Sequence, residues 1–310
     1  MNSIRSITEG AILTALYSIL LLAVLFIPII GSFFLFILPV PFVIYVTRHT
    51  LKKGLLMLTV ALFITYMVGS IATLPITLLF GITGLIMGYI YSLKKGAYAI
   101  LLSGSLGFIA NFVLLFIITN VFFQINFIED TKKMMYQSME TAEKMVTSLG
   151  QPTDQFEMMY RSIEMISYIV PSAMVILGIV LAFVAQLFAN QILKRFKYEI
   201  STFPPIRRWT FPKSLLWYYL IVTIIFMTGP EQGTILFTII INLFIVLEII
   251  MTIQGFSFIF FYFHISKKSL TIPVFIVILS LFMTFLLSII RILGIIDLGF
   301  NLRKRMKDPQ

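Results

Sequence analysis

The chain alternates long apolar runs with short basic punctuation. From Gly10 to Gln124 it is almost unbroken hydrocarbon, interrupted by Arg48, Lys52, Lys53, Lys94 and Lys95. Runs this long and this apolar exceed what a soluble core needs. They predict consecutive membrane-spanning helices, with each Lys/Arg cluster marking a cytoplasmic loop. Span 1 covers Ala11 to Ile27, after a basic start at Arg5, and Pro28 with Gly31 makes the outer turn. Span 2, Phe33 to Val46, is short and holds Pro39 and Pro41, which predicts a kinked or partly unwound helix. Spans 3, 4 and 5 run from Leu55 to Ser70, Leu74 to Tyr91 and Tyr98 to Phe122.

The pattern then changes. Residues 125–165 are the one long polar stretch. Met135, Met139, Ala142, Val146 and Leu149 step by four and three, which is one face of a helix. Gly150, Gln151 and Pro152 break it. Asp154 with Glu157 resembles a capping box, and Phe156, Met159 and Ile163 restart an amphipathic face leading into span 6. The segment reads as a helical hairpin at the outer mouth of the bundle.

Span 6, Ile166 to Leu193, ends at Lys194, Arg195 and Lys197, and the loop to Lys213 adds Arg207 and Arg208 beside Trp209. Span 7 is Leu215 to Met227, and Gly229 to Gly233 makes a tight turn. The apolar stretch 234–265 covers about 48 Å as a helix, long for one crossing and short for two. One crossing puts Lys267 and Lys268 inside but the tail Arg303 to Lys307 outside. A break at Gln254-Gly255, or a segment Ile289 to Leu302 lying flat, would bring the tail inside. Span 9 is Ile272 to Leu293. The expected fold is an all-α polytopic bundle of about eight to ten spans, divided into a bundle 1–195, a basic loop 196–214, helices 215–302 and a basic tail 303–310.

Composition supports this reading. Hydrophobic residues make up 59% and charged residues 12%, about half the charge of a soluble domain. The net charge of +10 sits in short loops, so it is a topogenic signature and not a nucleic-acid footprint. Residues 125–165 hold seven acids against four bases, which places them outside the cell. There is no cysteine, hence no disulfide, thiolate metal site or thiol nucleophile. The first apolar run lacks a small-residue cleavage site and is expected to be retained. The predicted location is a cytoplasmic membrane, multi-pass, with the N-terminus in the cytoplasm.

Small residues recur at helical spacing. Ala11 and Ala15 share one face of span 1, which lets another helix approach closely. Gly84 and Gly88 repeat the spacing in span 4, as do Ser103 and Gly107 in span 5, and these are predicted to pack helices within the bundle. The stretch Thr8 to Leu16 resembles the first helix of substrate-binding S components of energy-coupling-factor vitamin transporters. The Pro-rich second span, the Gly-rich fourth and the six-span layout to Lys194 are similar too. Over nearly its full length the chain resembles the YybS-like family of bacterial multispan membrane proteins, through Gln254-Gly255 and Gly294 to Asp297 followed by Arg303-Lys304. The S-component likeness covers residues 1–195 and implies that Ala11 and Ala15 dock on a transmembrane coupling subunit. The extra C-terminal spans depart from that pattern.

Polar groups inside spans are the remaining candidates. Glu248 lies deep in an apolar run, with Arg291 as the expected partner. Asn111, Asn120, Gln124, Gln186 and Asn190 lie on spans 5 and 6 and, with Glu248, are the six ligand candidates; each serves alternatively as an interhelical hydrogen bond, and the S-component likeness implies that Asn120, Gln124 and the hairpin form the ligand mouth. The seven methionines of the hairpin region suit an adaptable lid; thioethers also bind Cu(I), but no Cys accompanies them. Walker A, Gly-x-Ser-x-Gly and His-Glu-x-x-His motifs are absent, so no catalytic residue, metal or cofactor is predicted. Two functions stand. One is a small-solute-binding or transport-related subunit without its own ATPase, taking an unknown small molecule. The other is a membrane scaffold or assembly factor that binds envelope proteins. Both place the chain in the lipid bilayer, and neither involves nucleic acid.

Overall fold

The computed structural model describes residues 2–27, 29–150 and 152–306; Pro28, Gln151 and Lys307, named above, lie outside them. Among the described residues the structure is helical without strands. Seven helical segments of 18 to 42 residues are long and apolar enough to cross a membrane, and Ser214–Met227 and Thr271–Phe282 are shorter apolar helices. The chain divides into two compact units. Unit 1 comprises residues 1–163 and 173–203; unit 2 comprises 164–172 and 204–310.

In unit 1, α1 (Asn2–Phe26) is followed by two short helices, α2 (Ile30–Leu35) and α3 (Val40–Arg48), with turns between them. Pro39 and Pro41 break span 2 here, since each lacks a backbone donor. Then come α4 (Leu51–Gly69), α5 (Leu74–Ser92) and α6 (Ala97–Phe122). The side chain of Thr50 caps α4 by accepting from the Lys53 amide. The core centres on α3, every residue of which from Val40 to Val46 is buried. It packs against the glycine face of α5: a Cβ on Gly84 would lie 2.6 Å from the Pro39 carbonyl oxygen, and one on Gly88 2.8 Å from that of Val43. Only glycine permits this backbone approach.

The hairpin consists of α7 (Phe127–Ser148) and the start of α8 (Asp154–Arg195). Asn126 caps α7 by accepting from the amides of Ile128 and Glu129. Asp154 is already inside α8, and Thr153 occupies the cap position without a side-chain bond, so the expected capping box does not form. The two arms meet through Tyr136 stacked on Tyr160 at 5.8 Å and through the Tyr160 hydroxyl donating to Glu143 Oε2 at 2.7 Å. The half-buried stripe follows Tyr136, Met139, Ala142 and Val146, while Met135 and Leu149 at its margins are exposed.

In unit 2, α9 (Ser214–Met227) packs on α10 (Ile235–Ile265), and α10 packs on α12 (Thr284–Phe300). The apolar stretch 234–265 forms one uninterrupted helix of 31 residues, about 46 Å long, with no break at Gln254-Gly255. Span 9 is instead divided, at Met283, into α11 (Thr271–Phe282) and α12. A short α13 (Leu302–Met306) follows a left-handed turn at Asn301.

Candidate functional site

The tightest helix crossing in unit 2 carries the densest polar network. A Cβ on Gly255 would collide with the carbonyl oxygen of Ile290, and one on Gly294 with that of Met251. The two backbones therefore touch. This approach puts the fully buried Gln254 and Ser257 of α10 beside Asp297 of α12, which is 4% exposed. Gln254 Nε2 donates to Asp297 Oδ2. Arg303, from α13, donates through Nε to the same oxygen at 2.8 Å, through Nη2 to Ser257 Oγ at 3.0 Å and through Nη1 to the Arg207 carbonyl at 3.0 Å. Its guanidinium also lies 5.3 Å from the Phe261 ring centroid.

The other end of this network is backbone. Gln254 Oε1 accepts from the Phe211 amide at 3.0 Å, and the Ser257 hydroxyl lies 2.6 Å from the carbonyls of Ile206 and Trp209. The Trp209 indole donates to the Pro204 carbonyl at 2.8 Å. Loop 204–211 has three prolines nearby and a single 3-10 turn, Ile206–Arg208, so side chains of α10 and α13 satisfy polar groups that this turn leaves open. The arrangement is a clasp: a carboxylate fixes an arginine, and the arginine with its neighbours fixes a loop. It has the chemistry of a structural lock, with every polar arm of Arg303 engaged.

Glu248 and Arg291 form an ion pair nearly two turns away from Gln254 and Asp297 on α10 and α12, with side chains 26% and 22% accessible. A second helix-embedded device lies at Pro171. Pro171 takes one donor out of the α8 ladder, and Asn242 of α10 bridges the next rung. It accepts from the Ser172 amide at 2.6 Å and donates to the Tyr168 carbonyl at 2.6 Å.

No solved structure matches the chain. A family model described as "Predicted membrane protein (DUF2232)" matches residues 15–298, a span that takes in both compact units. The chain belongs to this family. "Uncharacterized protein YybS" of Bacillus subtilis (strain 168) is 34% identical over 310 residues, covering 99% of this chain and 100% of the relative. The YybS-like kinship expected from the C-terminal residues therefore holds along the full length.

This DUF2232 family member disperses the polar residues singled out in the sequence. Asn111 Nδ2 donates to the Gly107 carbonyl at 2.8 Å and to Thr83 Oγ1 at 3.3 Å, joining α6 to α5. Gln186 is fully buried and donates to the Ala97 carbonyl at 2.9 Å. Asn190 accepts from the Tyr91 hydroxyl at 2.6 Å. These last two sit at the Ala97 end of α6. Asn120, half-buried, and Gln124, exposed, sit at its other end, about 35 Å away along the helix. Glu248 belongs to unit 2. Within unit 1, Asn120 and Gln124 do not come together with Gln186 and Asn190. Ser103 bonds its own helix at the Ile100 carbonyl, and the close approach in α6 is made by Gly104, where a Cβ would lie 2.7 Å from Met87 Sδ. A Cβ on Gly107 would lie 3.2 Å from Thr83.

Ala11 and Ala15 are exposed on α1, whereas Leu13, Thr14, Tyr17 and Leu21 of the same helix are buried. Three arrangements were not read from the sequence. Tyr17 donates to Thr77 at 2.7 Å, and Thr77 bonds Thr65 at 2.7 Å, a buried hydroxyl chain across α1, α5 and α4. Glu9 pairs with both Arg48 and His49 near the ends of α1 and α3, with Arg48 4.4 Å over the Phe196 ring. The Asp297–Arg303 pair is the third. The opposite charges of Glu9 and Arg48 were the only sequence signal for the second.

Proposed function

We propose that this chain is a docking subunit of the bacterial cytoplasmic membrane, with its N-terminus in the cytoplasm and the hairpin outside. It presents helix surfaces to another membrane protein and performs no catalysis. One observation carries this reading: four of the six ligand candidates, Asn111, Gln186, Asn190 and Glu248, are already bonded within the helix packing. The small-residue face of Ala11 and Ala15 has no such internal duty, because it points away from the core of unit 1. Small residues four apart favour close helix approach in lipid, where burial of apolar surface supplies no drive. The orientation rests on the basic loops and the acidic hairpin.

The partner is a membrane protein: a transmembrane coupling subunit by the S-component likeness, or an envelope protein if the chain is a scaffold. Ala11→Leu with Ala15→Leu is expected to abolish co-purification of that partner from native membranes while leaving the thermal unfolding of the chain unchanged. Undiminished co-purification of the same partner would refute the docking face.

A second reading, a small-solute-binding, transport-related subunit without an ATPase, retains one supporting observation. Unit 1 covers nearly the same residues as the S-component likeness, and Asn120 and Gln124 lie at its hairpin end. That reading predicts a vitamin-like solute retained by the protein, and loss of that solute in Asn120→Ala or Gln124→Ala.

A further inference from the structure

The clasp of unit 2 has a consequence at its surface. Arg303 spends its own charge on Asp297 and spends Nη1 on the backbone of Arg207. That contact joins two basic segments almost a hundred residues apart in the chain. On the loop side, Arg208 and Lys213 are exposed, and Arg207 is half-buried. On the tail side, Lys304 and Arg305 are exposed, one and two residues from the contact. No acidic residue occurs from 200 to 230. The one carboxylate of the network, on Asp297, is buried and already neutralised by Arg303.

The aromatic residues beside these charges identify the medium. Trp217 and Tyr218, in the first turn of α9 directly after Lys213, are 63% and 57% exposed. Exposed Trp and Tyr at the end of an apolar helix mark the headgroup level of a bilayer. Beyond them the exposed face of α9 is hydrocarbon: Ile221, Ile224 and Met227. A cluster of cations at headgroup depth, with a greasy surface on one side, fits the phosphate of a membrane lipid.

We propose that Arg207, Arg208, Lys213, Lys304 and Arg305 form one binding platform for anionic phospholipid headgroups, assembled by the Asp297–Arg303 clasp. The tail is thereby part of a lipid site as well as a topogenic signal. Each Lys or Arg near an anionic surface changes partition by about fivefold, and the effect is screened by salt.

The test uses the full-length protein in neutral detergent, equilibrated with equal amounts of phosphatidylglycerol and phosphatidylcholine of matched chains. Retained lipid is read by native mass spectrometry. The wild-type chain is expected to retain phosphatidylglycerol at least tenfold over phosphatidylcholine, on the order expected for several basic groups. Arg208→Gln/Lys304→Gln/Arg305→Gln should bring the ratio near one without changing thermal unfolding. The control Lys133→Gln/Lys144→Gln, on exposed hairpin lysines, should leave it unchanged. Asp297→Asn/Arg303→Gln keeps all five platform cations but releases the tail, and should lower the ratio severalfold. Full preference in the triple variant overturns the platform. Equal loss in the hairpin control overturns it too, since bulk charge would then suffice. Full preference in the clasp variant refutes assembly by the clasp.

Discussion

The two units solve one problem, polar groups among apolar helices, in different ways. Unit 1 uses neutral groups inside its bundle: the Tyr17–Thr77–Thr65 chain, Asn111 on Thr83, Tyr91 on Asn190 and Gln186 on a carbonyl. Its charges, Glu9 with Arg48 and His49, stand near helix ends. Unit 2 carries ions within its helix packing, Asp297 with Arg303 and Glu248 with Arg291. Neutral hydrogen bonds in lipid are individually modest, about 0.6–1.7 kcal/mol. A buried ion pair costs more to assemble and far more to halve. Unit 1 is therefore expected to tolerate single polar deletions, and unit 2 to fail sharply when one partner is lost.

The largest effect should come from the crossing on which unit 2 depends. Gly255→Ala places a Cβ against the Ile290 carbonyl, which is backbone and has no rotamer to yield. A loss of about 3 kcal/mol or more is expected, read as a lowered unfolding temperature in detergent. Gly96→Ala, with open space around it, should change the same temperature by little.

Asp297→Ala comes next. It strands Arg303 and should cost about 3 kcal/mol. It should also free loop 204–211, so that trypsin cuts at Arg207 or Arg208 faster than in the wild-type chain. Removing both charges with Asp297→Asn/Arg303→Gln should recover part of the stability but not the protection of the loop. If the single and double variants are equally stable, unit 2 does not differ from unit 1 in the way described.

Asn242→Ala leaves the Ser172 amide and the Tyr168 carbonyl without the side chain that bridges them. About 1–3 kcal/mol is expected, seen as faster amide exchange around Pro171. In unit 1, Tyr17→Phe removes the hydroxyl donated to Thr77 while Thr65 still bonds Thr77, and about 1 kcal/mol of unfolding stability should be lost. A loss as large as that of Asp297→Ala would erase the contrast between the units.

The smallest effect lies in the hairpin. Lys144 hydrogen-bonds Glu140 and holds its carboxyl below the usual carboxylate range. A depressed folded value stabilises the helix above the unfolded pKa, and that contribution is lost as pH falls through the folded value. Helix content in α7 should therefore decline slightly below about pH 4, as measured by circular dichroism. Glu140→Gln should remove that dependence.

The helical membrane architecture was legible because apolar runs and basic loops are local signals. The break in span 2 was legible too, because Pro39 and Pro41 announce it. Arg291 was readable as the partner of Glu248, since few charges lie in the apolar runs. The division of span 9 at Met283 was not, for neither proline nor glycine marks it; α12 turns there to lie on α10, a tertiary cause. The contact of Gly255 and Gly294 was equally hidden, because each glycine is ordinary until the other helix approaches. Asn242 gave no sign of its role because the α8 rung it bridges, beside Pro171, lies seventy residues away. The capping box failed because Thr153 takes the cap position and the helix already includes Asp154.

Most polar side chains of the interior are bonded within the helix packing, with Gln186 Oε1 and Arg291 Nε left without a hydrogen-bond partner, and function is proposed to reside on the surfaces facing lipid and other proteins. Gentle extraction from native membranes, followed by mass spectrometry of co-purifying proteins and retained water-soluble small molecules, tests it most directly. The expected result is a stoichiometric membrane-protein partner that is lost on Ala11→Leu/Ala15→Leu, and no stoichiometric soluble ligand. A stoichiometric soluble ligand that disappears in Asn111→Ala or Gln186→Ala, with the fold intact, would contradict it.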